Sequence, residues 1–333
     1  MTAVSTEHAG RAPAGVPRPT PVRYTRLRRK TRERLVVLSF MAPVFAGLVI
    51  FLLYPLLAAI YFSFTTFDLV NPPEWVGLRN WRYLLEEETV RQAAKNTLWL
   101  LVVLVPARML GALCTALLLT KIKRGSGILR TLFYLPALAP PVAATLAFVV
   151  MFKPGTGPVN TVLGWVGIDG PLWFNSPDWA KPSLVLLGLW AVGDVMIIFL
   201  AALLDVPQEQ YEAASIDGAN SWQRFRYVTL PAISPVVLFS AVLGVITTLQ
   251  YFTQAAVAAS VASGDAVTGG GISGTFGYPE GSTFTYPLWL YVVGFRYGAF
   301  GYANALAVVL FVVATIVTVI LLRRFRAFTG STR

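Results

Sequence analysis

The chain has 333 residues, 56% of them hydrophobic and only 13% charged, where soluble globular domains carry roughly 25% charged residues. That deficit, with a mean hydropathy of +0.63 and 21 Phe, 13 Tyr and 9 Trp, argues against an ordinary soluble enzyme and for an all-α polytopic membrane protein. One cysteine, Cys114, and one histidine, His8, exclude an intrachain disulfide framework and a His/Cys zinc site, so no metal is expected. The net charge of +11 gathers at the ends of apolar runs, as on the cytoplasmic side of a bilayer, and no nucleic-acid partner is expected.

Residues 1–34 form a polar tail. Pro13, Pro17, Pro19 and Pro21 predict disorder there, and the basic run from Arg23 to Arg34 suits a neighbouring surface of anionic lipid. Six apolar runs then meet the roughly 20 residues that a helix rising 1.5 Å per residue needs to cross a bilayer. They are residues 35–62, 97–120, 131–152, 183–204, 234–258 and 302–322. A further stretch, Phe284 to Phe295, is too short to span and reads as an interfacial or re-entrant piece. The expected organisation is a disordered tail, a six-helix domain over residues 35–326 and a short tail over 327–333. Alternate loops carry 19 Lys plus Arg on one side and 7 on the other, so the positive-inside rule puts both termini and residues 207–231 in the cytoplasm.

That cytoplasmic loop is polar and bounded by Pro207 and Pro231. Gln208 to Ile216 favours a helix begun by proline, and Asp217-Gly218 supplies a turn. Ser221 to Val228 begins a second helix with Ser221 as its possible N-cap. Trp222, Phe225 and Val228 then share one face. A surface helix-turn-helix with so little core needs a partner.

The string Glu212-Ala213-Ala214, Asp217-Gly218-Ala219, Gln223, Phe225 and Leu230-Pro231 resembles the EAA loop of binding-protein-dependent ABC importer permeases. Tyr54-Pro55, Val76-Gly77-Leu78-Arg79-Asn80 and Arg130-Thr131-Leu132-Phe133-Tyr134-Leu135-Pro136 extend the resemblance. Trp190, Gly193, Phe199-Leu200-Ala201 and Gly301-Tyr302-Ala303 are similar to its sugar-importer branch. The resemblance implies the ABC importer permease fold and a multi-pass subunit of the cytoplasmic membrane that imports a sugar by alternating access. It also implies a second homologous permease, two copies of an ATPase subunit and an extracytoplasmic solute-binding protein as partners. The loop would be a coupling helix, with Glu212 contacting the ATPase, Ala213, Ala214, Ala219 and Phe225 packing there, and Asp217-Gly218 forming its turn. This chain has no G-x-x-x-x-G-K-[ST] phosphate loop, so ATP and Mg belong to the partner ATPase and no cofactor is expected here.

Polar residues within spans mark the solute path. Thr247, Thr248, Gln250, Tyr251 and Gln254 in the fifth run, and Trp190 and Asp194 in the fourth, offer the hydroxyls, amides and ring faces that suit a sugar. Counted from the outer ends of their runs, Arg108 and Asp194 sit at the same depth, about 16 Å down, so mutual pairing is expected. The alternative is that Asp194 lines the solute path while Arg108 satisfies itself on helix-end carbonyls. A stand-alone secondary carrier is the competing class, but it predicts paired halves and more ionisable groups in the spans. An intramembrane enzyme would need a nucleophile or metal set that the apolar runs lack.

Overall fold

Prolines and short polar breaks cut the apolar runs into shorter helices than composition alone implies. The computed structural model describes residues 26–122, 124–264 and 276–330. The disorder expected for residues 1–25, most of the C-terminal tail's end (331–333) and the centre of the Gly-rich segment (265–275) lie outside the described residues. The chain divides into two compact units, the first ending at Leu56 and the second beginning at Leu57.

Helix α1 (Arg26–Leu48), in the first unit, passes through a π-helical turn, Val49–Leu53, into α2 (Tyr54–Phe62), within which that unit ends. Residues 26–34 are therefore helical, contrary to the disorder expected for the whole tail. Arg, Lys and Glu are good helix formers and simply extend the apolar helix toward the N-terminus.

The second unit contains, in order, α3 (Arg79–Glu86), α4 (Glu88–Lys121), α5 (Ser126–Tyr134), α6 (Pro141–Met151), α7 (Pro158–Trp165), α8 (Pro177–Trp190) and α9 (Gly193–Leu204). There follow α10 (Gln208–Ile216), α11 (Ser221–Arg224), α12 (Leu230–Ala232), α13 (Ser234–Leu249), α14 (Thr253–Ala262), α15 (Tyr286–Tyr291) and α16 (Phe300–Gly330). Three apolar stretches, Glu33–Phe62, Glu88–Lys121 and Phe300–Arg324, are long enough to cross a bilayer, and three bent pairs bring the candidate spans to as many as six.

The bent pairs correct three of the expected runs. The third run is not one straight helix: α5 and its 3-10 extension Leu135–Leu138 meet α6 at 97°. Pro136, Pro140 and Pro141 remove backbone donors there and bias the preceding residues away from helix. The fourth begins earlier, at Pro177, and bends by 47° between α8 and α9. The fifth ends at Leu249; Gln250 to Phe252 break it before α14, while its other end meets the segment Ser221–Ala232 at 67°.

Helix α4 is the central post. Ala112 and Ala116 are fully buried against Met196, Phe199 and Leu203 of α9, because small side chains let two helices approach where lipid provides no hydrophobic drive. Nearer the other end of α4, Leu100 and Leu104 pack with Leu184 and Leu187 of α8, Ala255, Leu288 and Leu306. The Phe284 to Phe295 stretch, expected to be interfacial or re-entrant, is largely covered by protein: Tyr286, Leu288, Trp289, Val292 and Val293 are buried, while Phe295 is exposed. Its backbone is tied in, with Tyr286 N–H donating to Thr97 Oγ1 at 2.8 Å and Asn96 Nδ2 donating to the carbonyls of Gly281 (2.8 Å) and Phe284 (3.0 Å). Irregular backbone at membrane depth is tolerated only when satisfied in this way.

Candidate functional site

Three of the helix breaks, α5–α6, α8–α9 and α13–α14, converge on a cavity. It has a volume of about 320 Å³ and is lined by Leu104 and Arg108 of α4, the proline-rich bend from Pro136 to Pro141, Ala144 and Thr145 of α6, Leu187, Gly188, Ala191 and Asp194 at the α8–α9 bend, and Thr247, Thr248, Gln250, Tyr251 and Gln254 at the α13–α14 break. That size falls at the lower end of small-molecule sites. Discontinuous helices expose backbone and helix ends to a cavity that a continuous helix would seal.

The structure brings Arg108 and Asp194 together. Arg108 Nη2 donates to Asp194 Oδ1 at 2.9 Å and Oδ2 at 3.1 Å, and also to the carbonyl of Ala191 at 3.3 Å. The expected pairing is formed, and Arg108 also bonds a helix-end carbonyl. Ala191 ends α8 and Asp194 lies in the first turn of α9, so the cation meets a helix C-terminus and the anion a helix N-terminus, each the favoured sign. Asp194 Oδ1 also accepts from the Val195 N–H at 2.8 Å. The side chains are 23% and 51% exposed, and they remain open to the cavity.

Thr247, Thr248, Gln250 and Tyr251 line the same cavity. Thr247 Oγ1 is engaged with the carbonyls of Leu243 (2.9 Å) and Gly244 (3.1 Å) of its own helix, the local bonding typical of helical Thr. Gln250 ends α13, and the Tyr251 carbonyl accepts from Thr285 Oγ1 at 2.8 Å, fixing the break against the re-entrant segment. Trp190 is placed elsewhere. It lines a separate recess with Gly111, Thr115 and Phe133 and sits 5.4 Å from the Phe148 ring, because the α8–α9 bend turns the last residue of α8 away. The lining residues Pro136, Pro141, Thr145 and Gly188 escaped the sequence reading. Their signal was present in the cluster Pro136, Pro140 and Pro141 inside an apolar run, which marks a broken helix.

The 208–228 loop forms a separate feature. Helix α10 ends in a Schellman-type turn: Ala219 N–H donates to the Ala214 carbonyl at 2.9 Å, and Gly218 adopts φ +75°. A Cβ at Gly218 would meet nothing within 4 Å, so the residue is needed for its backbone conformation and not, as crowding would require, for space. The N-cap of α11 is Asn220, not Ser221: Asn220 Oδ1 accepts from Gln223 N–H at 2.9 Å, and Gln223 Oε1 from Asn220 N–H at 2.8 Å, a capping box. The second helix is also shorter than expected, since Phe225–Thr229 form a π-helical turn. Trp222 and Phe225 do share a face, rings 5.7 Å apart. Tyr211 and Thr229 hydroxyls meet at 3.0 Å and Arg224 Nη1 donates to Ser215 Oγ at 3.1 Å, binding the loop's halves into one body. Outward from it stand Glu212, Ala213 and Asp217, with Ile216, Trp222 and Tyr227 exposed.

Two rods join loop to cavity. Helix α9 leaves the cavity at Asp194 and runs 12 residues, about 18 Å, to Leu204 beside the loop. Helix α13 leaves the loop at Ser234 and runs 16 residues, about 24 Å, to Leu249 at the cavity. The far end of the unit is closed by polar ties: Glu87 accepts from Trp289 Nε1 at 3.3 Å and from the Tyr302 hydroxyl, and Lys181 Nζ donates to Asn96 Oδ1 at 3.1 Å. These residues were also absent from the sequence reading. They are scattered polar groups whose neighbours come from elements far apart in the chain.

Comparison with known proteins adds the following. The family model of the binding-protein-dependent transport system inner membrane component matches residues 107–327. The chain is 35% identical to the probable ABC transporter permease protein YesP of Bacillus subtilis over 88% of this chain and 91% of that one. It is 36% identical to the lactose transport system permease protein LacF of Rhizobium radiobacter over 86% and 92%, and 30% identical to the sulfoquinovosyl glycerol transport system permease protein SmoG of Agrobacterium fabrum over 88% and 91%. In fold it is similar to a chain of a bacterial ABC transporter involved in alginate import, with a TM-score of 0.69 at 23% identity over 91% of this chain and 99% of that one.

Proposed function

The chain belongs to the family of binding-protein-dependent transport system inner membrane components, and from that membership we propose that it is one of two permease subunits of an ATP-driven sugar importer. The carrying observation is mechanical: α9 and α13 each have one end at the 208–228 loop and the other at the polar cavity. Displacing the loop therefore moves both walls of the cavity as rigid bodies, the requirement for alternating access. The exposed side of α10, with Glu212, Ala213 and Ile216, takes its drive from a separate ATPase subunit, two copies of which serve the two permeases. ATP and Mg are bound by that ATPase, and this chain carries no cofactor.

Orientation follows from charge. The Tyr302 tie to Glu87 places the start of α16 beside the start of α4, so Lys121 and the Arg323-Arg324 pair lie at the opposite end, the loop's end, with Arg224 and Arg226. The positive-inside rule supports that end as the cytoplasmic one, and the importer reading supports the cytoplasmic membrane as its location. A sugar is supported by the hydroxyl, amide and ion-pair lining and by relatives named for lactose and sulfoquinovosyl glycerol transport. A second homologous permease and an extracytoplasmic solute-binding protein complete the machine.

The test is co-expression with a candidate ATPase, second permease and binding protein. The ATPase should copurify with this chain, its hydrolysis should rise with sugar-loaded binding protein, and a Glu212→Arg/Ile216→Asp variant should lose the ATPase while staying in the membrane. Undiminished copurification by that variant would exclude α10 as the docking element. Uptake by this chain without any ATPase would remove the importer reading.

A further inference from the structure

Arg108 and Asp194 alone among the residues lining the cavity carry charge, and they cancel. The geometry of the cancellation is uneven. All three hydrogen bonds of the guanidinium come from Nη2, to both Asp194 oxygens and the Ala191 carbonyl, while the buried Nε has no partner. A two-nitrogen fork, the strongest Arg–carboxylate arrangement, is not formed: Nε is closed off from a solute, and it is Nη1, engaged by none of these bonds, that is left to donate. Asp194, half exposed, keeps acceptor capacity toward the cavity. Side by side, an uncommitted donor edge and an open acceptor match neighbouring hydroxyls, each of which both donates and accepts.

A charged solute fares differently. An anion must approach the guanidinium past the carboxylate already seated on it, and a cation must approach the carboxylate past the guanidinium; like charges in a confined site discriminate strongly. We propose that the Arg108–Asp194 pair is a specificity determinant that confines the cavity to uncharged polyhydroxylated solutes, with Asp194 occupying the position on Arg108 that an acidic sugar would otherwise take. This inference rests on the sugar-importer reading and adds the charge class of the sugar.

The test uses the assembled transporter in detergent without the binding protein, so that only the permease selects. Equilibrium binding is measured for a panel of neutral mono- and disaccharides and for the acidic disaccharide digalacturonate. The wild type should bind a neutral sugar, and a hundredfold excess of digalacturonate should not displace it. Asp194→Asn should raise the ratio of acidic to neutral binding at least about tenfold, and Arg108→Gln/Asp194→Asn, neutral again, should abolish that gain. Displacement by digalacturonate in the wild type, or an unchanged ratio in Asp194→Asn, overturns the proposal while leaving a sugar importer in place. Binding of no sugar by any form, with no sugar-stimulated hydrolysis when binding protein is restored, overturns the sugar reading and this inference together.

Discussion

A single methyl group at Gly193 should test whether the bend that carries Asp194 is held from outside. Gly193 opens α9 beneath the main chain of α5, and a Cβ built there lies 2.1 Å from the Phe133 carbonyl oxygen, 2.8 Å from its carbon and 2.7 Å from Tyr134 Cα. Contact distance is about 3.5 Å, so α5 must retreat by about 1.4 Å. Overpacking costs about 1–3 kcal/mol, and main-chain neighbours, which cannot rotate aside, put this case at the upper end. Alanine recovers about 1 kcal/mol of helix propensity over glycine, leaving Gly193→Ala destabilised by about 2 kcal/mol. Gly164→Ala in α7 is the control, since its Cβ would meet nothing within 4 Å. In purified transporter the apparent melting temperature should fall by about 4–8 °C for Gly193→Ala and hold or rise for Gly164→Ala. Transport should fall with it, because Pro136, just beyond the displaced Tyr134, lines the cavity. Equal melting of the two variants would refute the close-approach argument.

Three further outcomes follow from local geometry. Gly218→Asn should retain more coupled transport than Gly218→Val, because Asn tolerates the positive φ at which a β-branched residue is strained; the reverse order in an uptake assay would count against backbone conformation as the cause. Asn96→Leu strips donors from two carbonyls and an acceptor from Lys181, and at about 1–3 kcal/mol per buried unsatisfied group it should expose residues 276–296 to protease; unchanged cleavage would show that the re-entrant segment is held by packing alone. Asp68, in the loop after α2, accepts from Asn71 N–H, the Asn71 amide and Val70 N–H, which hold its carboxyl below the ordinary value. Stability of that turn is thus fully present above the ordinary carboxyl range, near pH 4, and is lost as pH falls through the lower folded value. Hydrogen exchange at residues 68–71 should quicken on acidification in the wild type and show no such pH step in Asp68→Asn.

What the sequence determined by itself is whatever depends on composition along a short stretch. Apolar length against bilayer thickness picks out residues 97–120 and 302–322, which lie inside the long apolar helices Glu88–Lys121 and Phe300–Arg324, proline and Asp217-Gly218 place α10 and its turn, and equal depth anticipates the meeting of Arg108 with Asp194. What only tertiary structure decided is which way a broken helix turns. The 97° corner after α5 and the 47° bend after α8 put Pro136 and Gly188 into the cavity and swing Trp190 out of it, although Trp190 is only a few residues from Asp194. A bend angle is set by the neighbour that packs into it, as α5 packs on Gly193, and that neighbour is distant in the chain. The same holds for Glu87, Trp289 and Tyr302: each is unremarkable in its own segment, and only the burial of the re-entrant helix between α4 and α16 makes them partners, because in a medium without water each polar group must find its bond within the protein.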